Sequence, residues 1–276
     1  MRSVDEAVIL VTGSTDGLGE ATARDLAAAG ATVLLHGRDP ERGDAAVREI
    51  REETSNDKLR YYLADFSSLE QVRRLADEVR ADHDRLDVLV NNAGVLTRQR
   101  TVTEDDYELT FAVNYLAPFL LTRLLLPLLC QSVPARIVNV ASGAQSPVDF
   151  DDPMLERGYE GMRAYAQSKL ALVMFTFDLA EELEGTGVTA NSLHPASLMD
   201  TKMVLETFGS ASSSVQEGAD ATVRLAASPK MEGITGKYFD EQREARADKQ
   251  AYKEEARARL RRLSEELTGL HAVGTS

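Results

Sequence analysis

Tryptophan is absent from the 276 residues, and cysteine occurs once, at Cys130. A lone cysteine excludes an internal disulfide, leaves nothing for a thiolate metal cluster and suits a reducing cytoplasm; no metal site is expected. Positive charge is in deficit. The 31 Lys and Arg against 45 Asp and Glu give a formal charge of −14, with a pI near 4.8. Such a surface repels phosphate backbones and anionic lipid, so neither nucleic acid nor an anionic membrane is an expected partner. Long hydrophobic runs are lacking too. Met1 to Leu10 carries Asp5 and Glu6 ahead of a short apolar run and lacks the longer core of a signal peptide, so no export is expected. Leu116 to Cys130, interrupted by Arg123 and two prolines, reads as a buried helix too short to span a bilayer. No repeat of solenoid period is present.

What is present is an alternation of short apolar or β-branched runs with helix-like segments, the pattern of parallel strands joined by crossover helices. Strands are expected at Ala7 to Thr12, Ala31 to His36, Leu59 to Asp65, Leu86 to Asn91, Arg136 to Ala141, Val188 to Leu193 and Lys237 to Phe239. Helices are expected at Gly17 to Ala29, Glu41 to Glu53, Ser68 to Ala81, Glu104 to Leu129 and Ala164 to Leu183. This predicts an α/β, doubly wound, seven-stranded parallel sheet in one domain over 1–276, with ligands at the strand C-termini. A loose Ser/Gly segment, Gly209 to Ser214, lies in a substrate loop of about 196–215 and has the composition of a mobile flap. In a C-terminal helix of about 245–270, Ala256, Leu260, Leu263, Leu267 and Leu270 form one stripe, which either packs on its own domain or makes a dimer interface. Monomer and homodimer both remain open.

The first strand leads into Thr12-Gly13-Ser14-Thr15-Asp16-Gly17-Leu18-Gly19, followed by an alanine-rich helix. Gly13 permits a sharp turn, Gly17 lets the backbone approach a pyrophosphate, and Gly19 allows close packing of helix on sheet. The helix N-terminus then offers free N–H groups to phosphate. The spacing Gly-x-x-x-Gly-x-Gly is followed by Asn91-Asn92-Ala93-Gly94, then Asn114, Ser142 and Tyr165-Ala166-Gln167-Ser168-Lys169. In this order the elements resemble the short-chain dehydrogenase/reductase family, over nearly the whole chain.

Tyr165 and Lys169, four apart, share a helix face, and a nearby cation favours phenolate over phenol. The same spacing also occurs between plain surface neighbours. The resemblance implies a Rossmann-type fold, an NAD(P) cofactor and a small-molecule alcohol, aldehyde or ketone substrate. It assigns Tyr165 as general acid in reduction and base in oxidation, Lys169 to the nicotinamide ribose, and Ser142 to the substrate oxygen. Pro118 has no N–H for the carbonyl of Asn114, which is freed to hold a water, at the place where the resemblance implies one bridging to Lys169; a harmless kink is the alternative.

The resemblance places the 13–19 loop, with Ala93 and Gly94, against the cofactor. Asp65 and the Phe66 amide would meet the adenine, Asn91 would lie beneath the adenosine ribose, and Thr201 would meet the carboxamide. Asp65 as a helix cap and Asn91 as a turn residue are the alternatives. Where the family usually shows Pro-Gly the chain reads Pro195-Ala196, and His194 reads as a packing or turn residue. At the end of the second strand, His36-Gly37-Arg38 places a forked cation where a 2′-phosphate would sit, so NADP(H) is expected over NAD(H). Against this stand Asp39 and Asp16, and Arg38 could instead pair with Asp39 or Glu41.

Twenty-three positions separate Ser142 from Tyr165, and the insertion between them, with Gln167-Ser168-Lys169-Leu170-Ala171, resembles the retinol-dehydrogenase branch. That branch implies a lipophilic substrate, with a pocket expected from Phe150, Leu198, Met199, Met203, Val204 and Phe208. The alternative reading is a catalytically silent, dinucleotide-sensing regulator that keeps the fold without turnover; a scaffold that recruits partners through its last helix is a third.

Overall fold

The computed structural model describes residues 3–270, the Phe208 side chain excepted. The strands are β1 (Val8–Val11), β2 (Thr32–Gly37), β3 (Leu59–Leu63), β4 (Val88–Asn91), β5 (Ala135–Val140), β6 (Val188–His194), β7 (Lys237–Asp240) and β8 (Arg243–Ala245). They form one sheet in the order β3-β2-β1-β4-β5-β6-β7-β8. The sheet therefore has eight strands rather than the expected seven. The added strand, β8, pairs antiparallel with β7. Its three residues, Arg243-Glu244-Ala245, are charged or small and mostly exposed, so they carry no apolar alternation to read.

Helix α1 (Gly17–Ala28) follows β1, α2 (Pro40–Thr54) follows β2, and α3 (Leu69–Asp82) follows β3. A single turn, α4 (Leu109–Phe111), runs through a π turn (Ala112–Leu116) into α5 (Ala117–Gln131). Helix α6 (Gly161–Glu182) precedes β6, α7 (Lys202–Phe208) and α8 (Val215–Ala227) precede β7, and α9 (Glu254–Thr268) is last.

Successive strand side chains point to opposite faces, and the core divides accordingly. Leu10, Leu34, Leu89 and Ile137 lie with Val72, Leu121 and Leu172 on one face. Ile9, Val33, Val90 and Val138 lie with Leu26, Ile50 and Leu225 on the other. At about 25 cal/mol per Å² of apolar surface, burial on both faces makes these strands the main stabilising layer. The order reverses between β1 and β4, which opens a crevice at the strand C-termini.

Two helices start later than the sequence suggests. Residues 104–108 are not helical: Asp106 has φ of 63°, and the buried Glu108 carboxylate accepts from the amides of Thr110 (2.9 Å) and Phe111 (2.7 Å), fixing the helix start. The last helix begins at Glu254, after β8 and a 3-10 turn at Lys249–Tyr252. The apolar helical run is longer than expected: Leu109–Gln131 has 23 residues, enough by length and composition to cross a bilayer, but it is a largely buried core helix here.

Helix α9 is stitched to its own chain. Asp178 accepts two bonds from Arg261, at 2.8 and 2.6 Å. The Tyr115 and Ser264 hydroxyls are 2.6 Å apart, and Tyr107 donates to the Leu267 carbonyl at 2.6 Å. The segment after β6 also folds on itself: Ser212 donates from its amide to Leu198 O at 2.9 Å and Asp200 from its amide to Ser213 O at 3.1 Å.

Candidate active site

At the C-terminal end of β1 the chain turns through Gly13, whose φ is 63° and where a Cβ would lie 2.8 Å from Ala93 Cα. Only glycine tolerates both conditions. At Gly19 a Cβ would meet Gly13 O at 2.1 Å and Asn92 Nδ2 at 2.4 Å, so α1 packs on the turn as closely as backbone allows. Thr12 Oγ1 accepts from the amides of Asn92 (2.9 Å) and Ala93 (3.0 Å), holding Asn92-Ala93-Gly94 beside the loop. The Thr15 carbonyl accepts from the Arg42 guanidinium at 3.5 Å, and Leu18 is buried against α8. These residues fit a dinucleotide pyrophosphate: a cradle that a Cβ would fill, at a helix N-terminus, in the crevice between β1 and β4.

Helix α6 brings Tyr165 and Lys169 under this cradle, and the loop after β5 brings Ser142. Burial raises the Tyr165 phenol above its usual value, and the Ser142 side chain opposes the rise. Lys169 Nζ lies 5.6 Å from the Tyr165 ring centre and donates to Val140 O at 2.8 Å. Burial pushes its ammonium down to about 8. A Cβ on Gly94 would lie 3.3 Å from Lys169 Nζ and 3.4 Å from Asn114 Oδ1, so the glycine leaves the space the lysine occupies.

Asn114 sits in the π turn, fully buried. Its Oδ1 accepts from Val95 N at 2.7 Å, and its Nδ2 donates to Val95 O at 2.9 Å and to Ser168 Oγ at 3.0 Å. In the π turn the Ala117 amide bonds back five residues to Ala112 O, and Pro118 supplies no N–H.

The other expected residues are more dispersed. The Asp65 carboxylate accepts from Ser67 N at 2.9 Å. Phe66 turns its side chain inward and stacks on His36, ring centres 4.2 Å apart. Asn91 is buried and donates to Thr122 Oγ1 (3.0 Å) and Asn139 Oδ1 (2.8 Å), while its Oδ1 has no partner among the described residues. Thr201 caps α7, and a Cβ on Gly17 would lie 3.3 Å from its methyl, so α7 starts against the phosphate loop. Arg38 is exposed at the end of β2, while the Asp39 carboxylate caps α2 through the amides of Glu41 and Arg42.

Several residues escaped the sequence reading. Arg42, in the first turn of α2, pairs with Asp16 at 2.7 Å and so brings a second guanidinium to the phosphate loop; the partners are 26 positions apart, so no local pattern signals the pair. Beside Ser142 opens a cavity of about 480 Å³, lined among others by Gln145, His194, Tyr238, Asp240, Arg246 and Asp248. Tyr238 Oη and Gln145 Nε2 both donate to the Ser142 carbonyl, at 3.0 and 2.9 Å. His194 Nε2 lies 3.0 Å from Ser197 Oγ, and burial lowers its imidazole, opposed by Asp240 and Glu241. Of the expected pocket residues, Leu198 is exposed, Met199 packs in the α8-side core, and Phe150 lies under Arg259 of α9. Met203 and Val204 are half-buried on α7, and the Phe208 side chain is outside the described residues.

The short chain dehydrogenase family model matches residues 7–210. Retinol dehydrogenase 13 of Mus musculus is 39% identical over 279 residues, covering 95% of this chain and 84% of the relative. Retinol dehydrogenase 14 of Homo sapiens is 37% identical over 289 residues, covering 95% and 86%. Among solved structures, an uncharacterized protein from Mycobacterium paratuberculosis has a TM-score of 0.79 at 29% identity, covering 96% and 94% of the two chains. The Pseudomonas aeruginosa RhlG/NADP active-site complex has a TM-score of 0.71 at 26% identity, covering 87% and 97%.

The chain belongs to the short-chain dehydrogenase family, in a branch similar to the retinol dehydrogenases. It is an NAD(P)-dependent oxidoreductase, in a family whose substrates are small-molecule alcohols or carbonyls.

Proposed function

We propose that the protein interconverts a lipophilic alcohol and its carbonyl compound with NADP(H), Tyr165 being the general acid in reduction and the general base in oxidation. The observation that carries this reading is the buried Tyr165 with Lys169 one helical turn on, its Nζ 5.6 Å from the tyrosine ring centre and against Gly94 of the glycine cradle, and with Ser142 lowering the phenol's pKa. When bound, the nicotinamide supplies or accepts the hydride at the reacting carbon. The phenol gives its proton to the substrate oxygen in reduction and takes it back in oxidation, and Ser142 holds that oxygen. Lys169 holds the nicotinamide ribose and lends positive charge to the phenol, and Asn114 leaves a carbonyl free to hold a water on the way to Lys169.

In this reading the 13–19 loop, Ala93 and Gly94 bind the dinucleotide, Asp65 and Phe66 border its adenine, Asn91 supports the ribose and Thr201 meets the carboxamide. Arg38 reads the 2′-phosphate. Arg42 supports this by offsetting the Asp16 carboxylate that would repel it. The 196–215 segment covers the substrate, and the single Cys130 fits a cytoplasmic location. NAD(H) is the competing cofactor.

The test is Tyr165→Phe. Turnover is expected to vanish while dinucleotide affinity stays within a few-fold of wild type, because only the proton-transfer oxygen is removed. Retention of most of kcat overturns the assignment; dinucleotide binding with no turnover on any carbonyl would favour a sensing regulator. A second reading of the substrate comes from the cavity beside Ser142: with Asp240, Arg246 and Asp248 in its wall, it favours a substrate bearing hydroxyl or charged groups beyond the reacting carbon. A panel of retinoid, steroid, aliphatic and polyhydroxylated carbonyls discriminates between the two by kcat/KM.

A further inference from the structure

The parallel ladder between β1 and β2 ends at the pair Val11 and Leu35, yet the chain beyond β1 stays attached to β2 through one residue. His36 N donates to Ser14 Oγ at 3.0 Å, and Ser14 N donates to His36 O at 2.9 Å. The ring adds two more bonds. Its Nδ1 accepts from the Gly13 amide at 3.1 Å, and its Nε2 lies 3.1 Å from the carbonyl of Ala64. An amide can only donate and a carbonyl can only accept, so these contacts fix one neutral tautomer, with the proton on Nε2. The ring is 3% exposed and stacks on Phe66 with the planes 23° apart, which fixes its rotation. Burial also pushes the imidazolium down to about 4, so Nδ1 is free to accept at neutral pH, with the Asp65 carboxylate opposing that shift.

We infer that His36 is a positioning residue for the dinucleotide: it ties the phosphate loop at Gly13 to the Ala64–Phe66 segment, so that the pyrophosphate and adenine subsites are held at one spacing. This rests on the cofactor placement proposed above. A purely structural histidine would need neither the loop amide nor the specific tautomer. A positioning histidine needs the Nδ1 acceptor above all, because that is the ring atom bonded to the Gly13 amide, whereas the bonds to Ser14 are made by the His36 backbone and survive a change of its side chain.

The two ring bonds are separable. In His36→Asn the side-chain oxygen stands near Nδ1 and keeps an acceptor for Gly13 while losing the Ala64 bond. In His36→Gln the amide nitrogen stands near Nε2 and keeps a donor for Ala64 while losing the Gly13 bond. Binding of NADPH and NADH by titration calorimetry is expected to weaken roughly tenfold in His36→Gln, one lost hydrogen bond, and to stay within about threefold in His36→Asn. KM for the dinucleotide should follow, with kcat nearly unchanged. In the dinucleotide-free protein the Gly13 amide is expected to be protected from hydrogen exchange in wild type and His36→Asn and to exchange faster in His36→Gln.

Equal affinity in both variants, or an unprotected Gly13 amide in the wild type, overturns the inference whether or not a variant folds poorly. A wild type that binds neither dinucleotide overturns the functional reading and the inference with it, whereas wild-type binding with His36→Gln unaffected overturns the inference alone.

Discussion

Replacing Lys169 with methionine is expected to leave the dinucleotide-free protein as stable as wild type at pH 7, or more so, while abolishing turnover. Lys169 is 4% exposed, and burial lowers its ammonium from 10.5 to about 8. A shift of that size corresponds to about 3 kcal/mol against the charged form. Part of this is offset by the bond to Val140 O, whose loss leaves a buried carbonyl short of a partner at a cost of about 1–3 kcal/mol. Methionine fills the volume of the lysine stem without a charge. The difference places the variant between equal to wild type and about 2 kcal/mol more stable, at most a few degrees in Tm.

The same numbers carry a pH signature. Below pH 8 both folded and unfolded chains hold the lysine proton, so the fold bears the whole penalty. Between 8 and 10.5 the folded state has released the proton and the unfolded state has not, so wild-type stability rises with pH relative to the variant. Above 10.5 the penalty is gone. Urea unfolding of both proteins at pH 7 and pH 10 measures this. If Lys169→Met loses more than about 1 kcal/mol at pH 7, or the gap between the proteins is the same at both pH values, the reasoning fails.

Three further outcomes follow from other parts of the site. Gly19→Ala is expected to weaken dinucleotide binding severely and cost about 1–3 kcal/mol in unfolding, because its Cβ would stand 2.1 Å from Gly13 O; calorimetric titration and urea melts check both. Arg38→Ala should lower kcat/KM with NADPH roughly ten- to hundredfold and leave NADH nearly unchanged, a ratio that steady-state kinetics reads directly. Asp178→Asn should lower stability by about 1–3 kcal/mol by weakening the paired Arg261 bonds that hold α9 to α6, with kcat per folded molecule preserved.

How much of this was legible in the sequence depends on how local its cause is. The six inner strands and their helices announced themselves because their apolar runs are largely buried between the layers, as at Val33, Leu34 and Leu35, and the edge strand β3 through its β-favouring run Leu59–Leu63. The glycine turn was legible for the same reason: Gly13 and Gly19 are required by contacts within the strand–turn–helix unit and with its neighbour at Asn92. β8 was not, since an exposed three-residue edge strand has no periodicity, and helix α4 began late because a single buried carboxylate, Glu108, outweighed a helical pattern. His36 read only as the end of a strand, because its ring partners, Gly13 and Ala64, lie 23 and 28 positions away. The cavity beside Ser142 escaped for a similar reason, as its wall is assembled from four separate segments.

The backbone of Ser142 is held by Tyr238 from β7 and by Gln145, whose own side chain accepts from the Asp248 amide at 2.8 Å. The β7–β8 hairpin is thus joined to the Ser142 backbone through two side chains, Tyr238 and Gln145. In the proposed reading, exchanging residues 240–248 while retaining Tyr238 and Gln145 reshapes the cavity wall without touching the residues assigned to the dinucleotide. By the same coupling, lengthening the hairpin beyond what Gln145 can reach would loosen the serine itself.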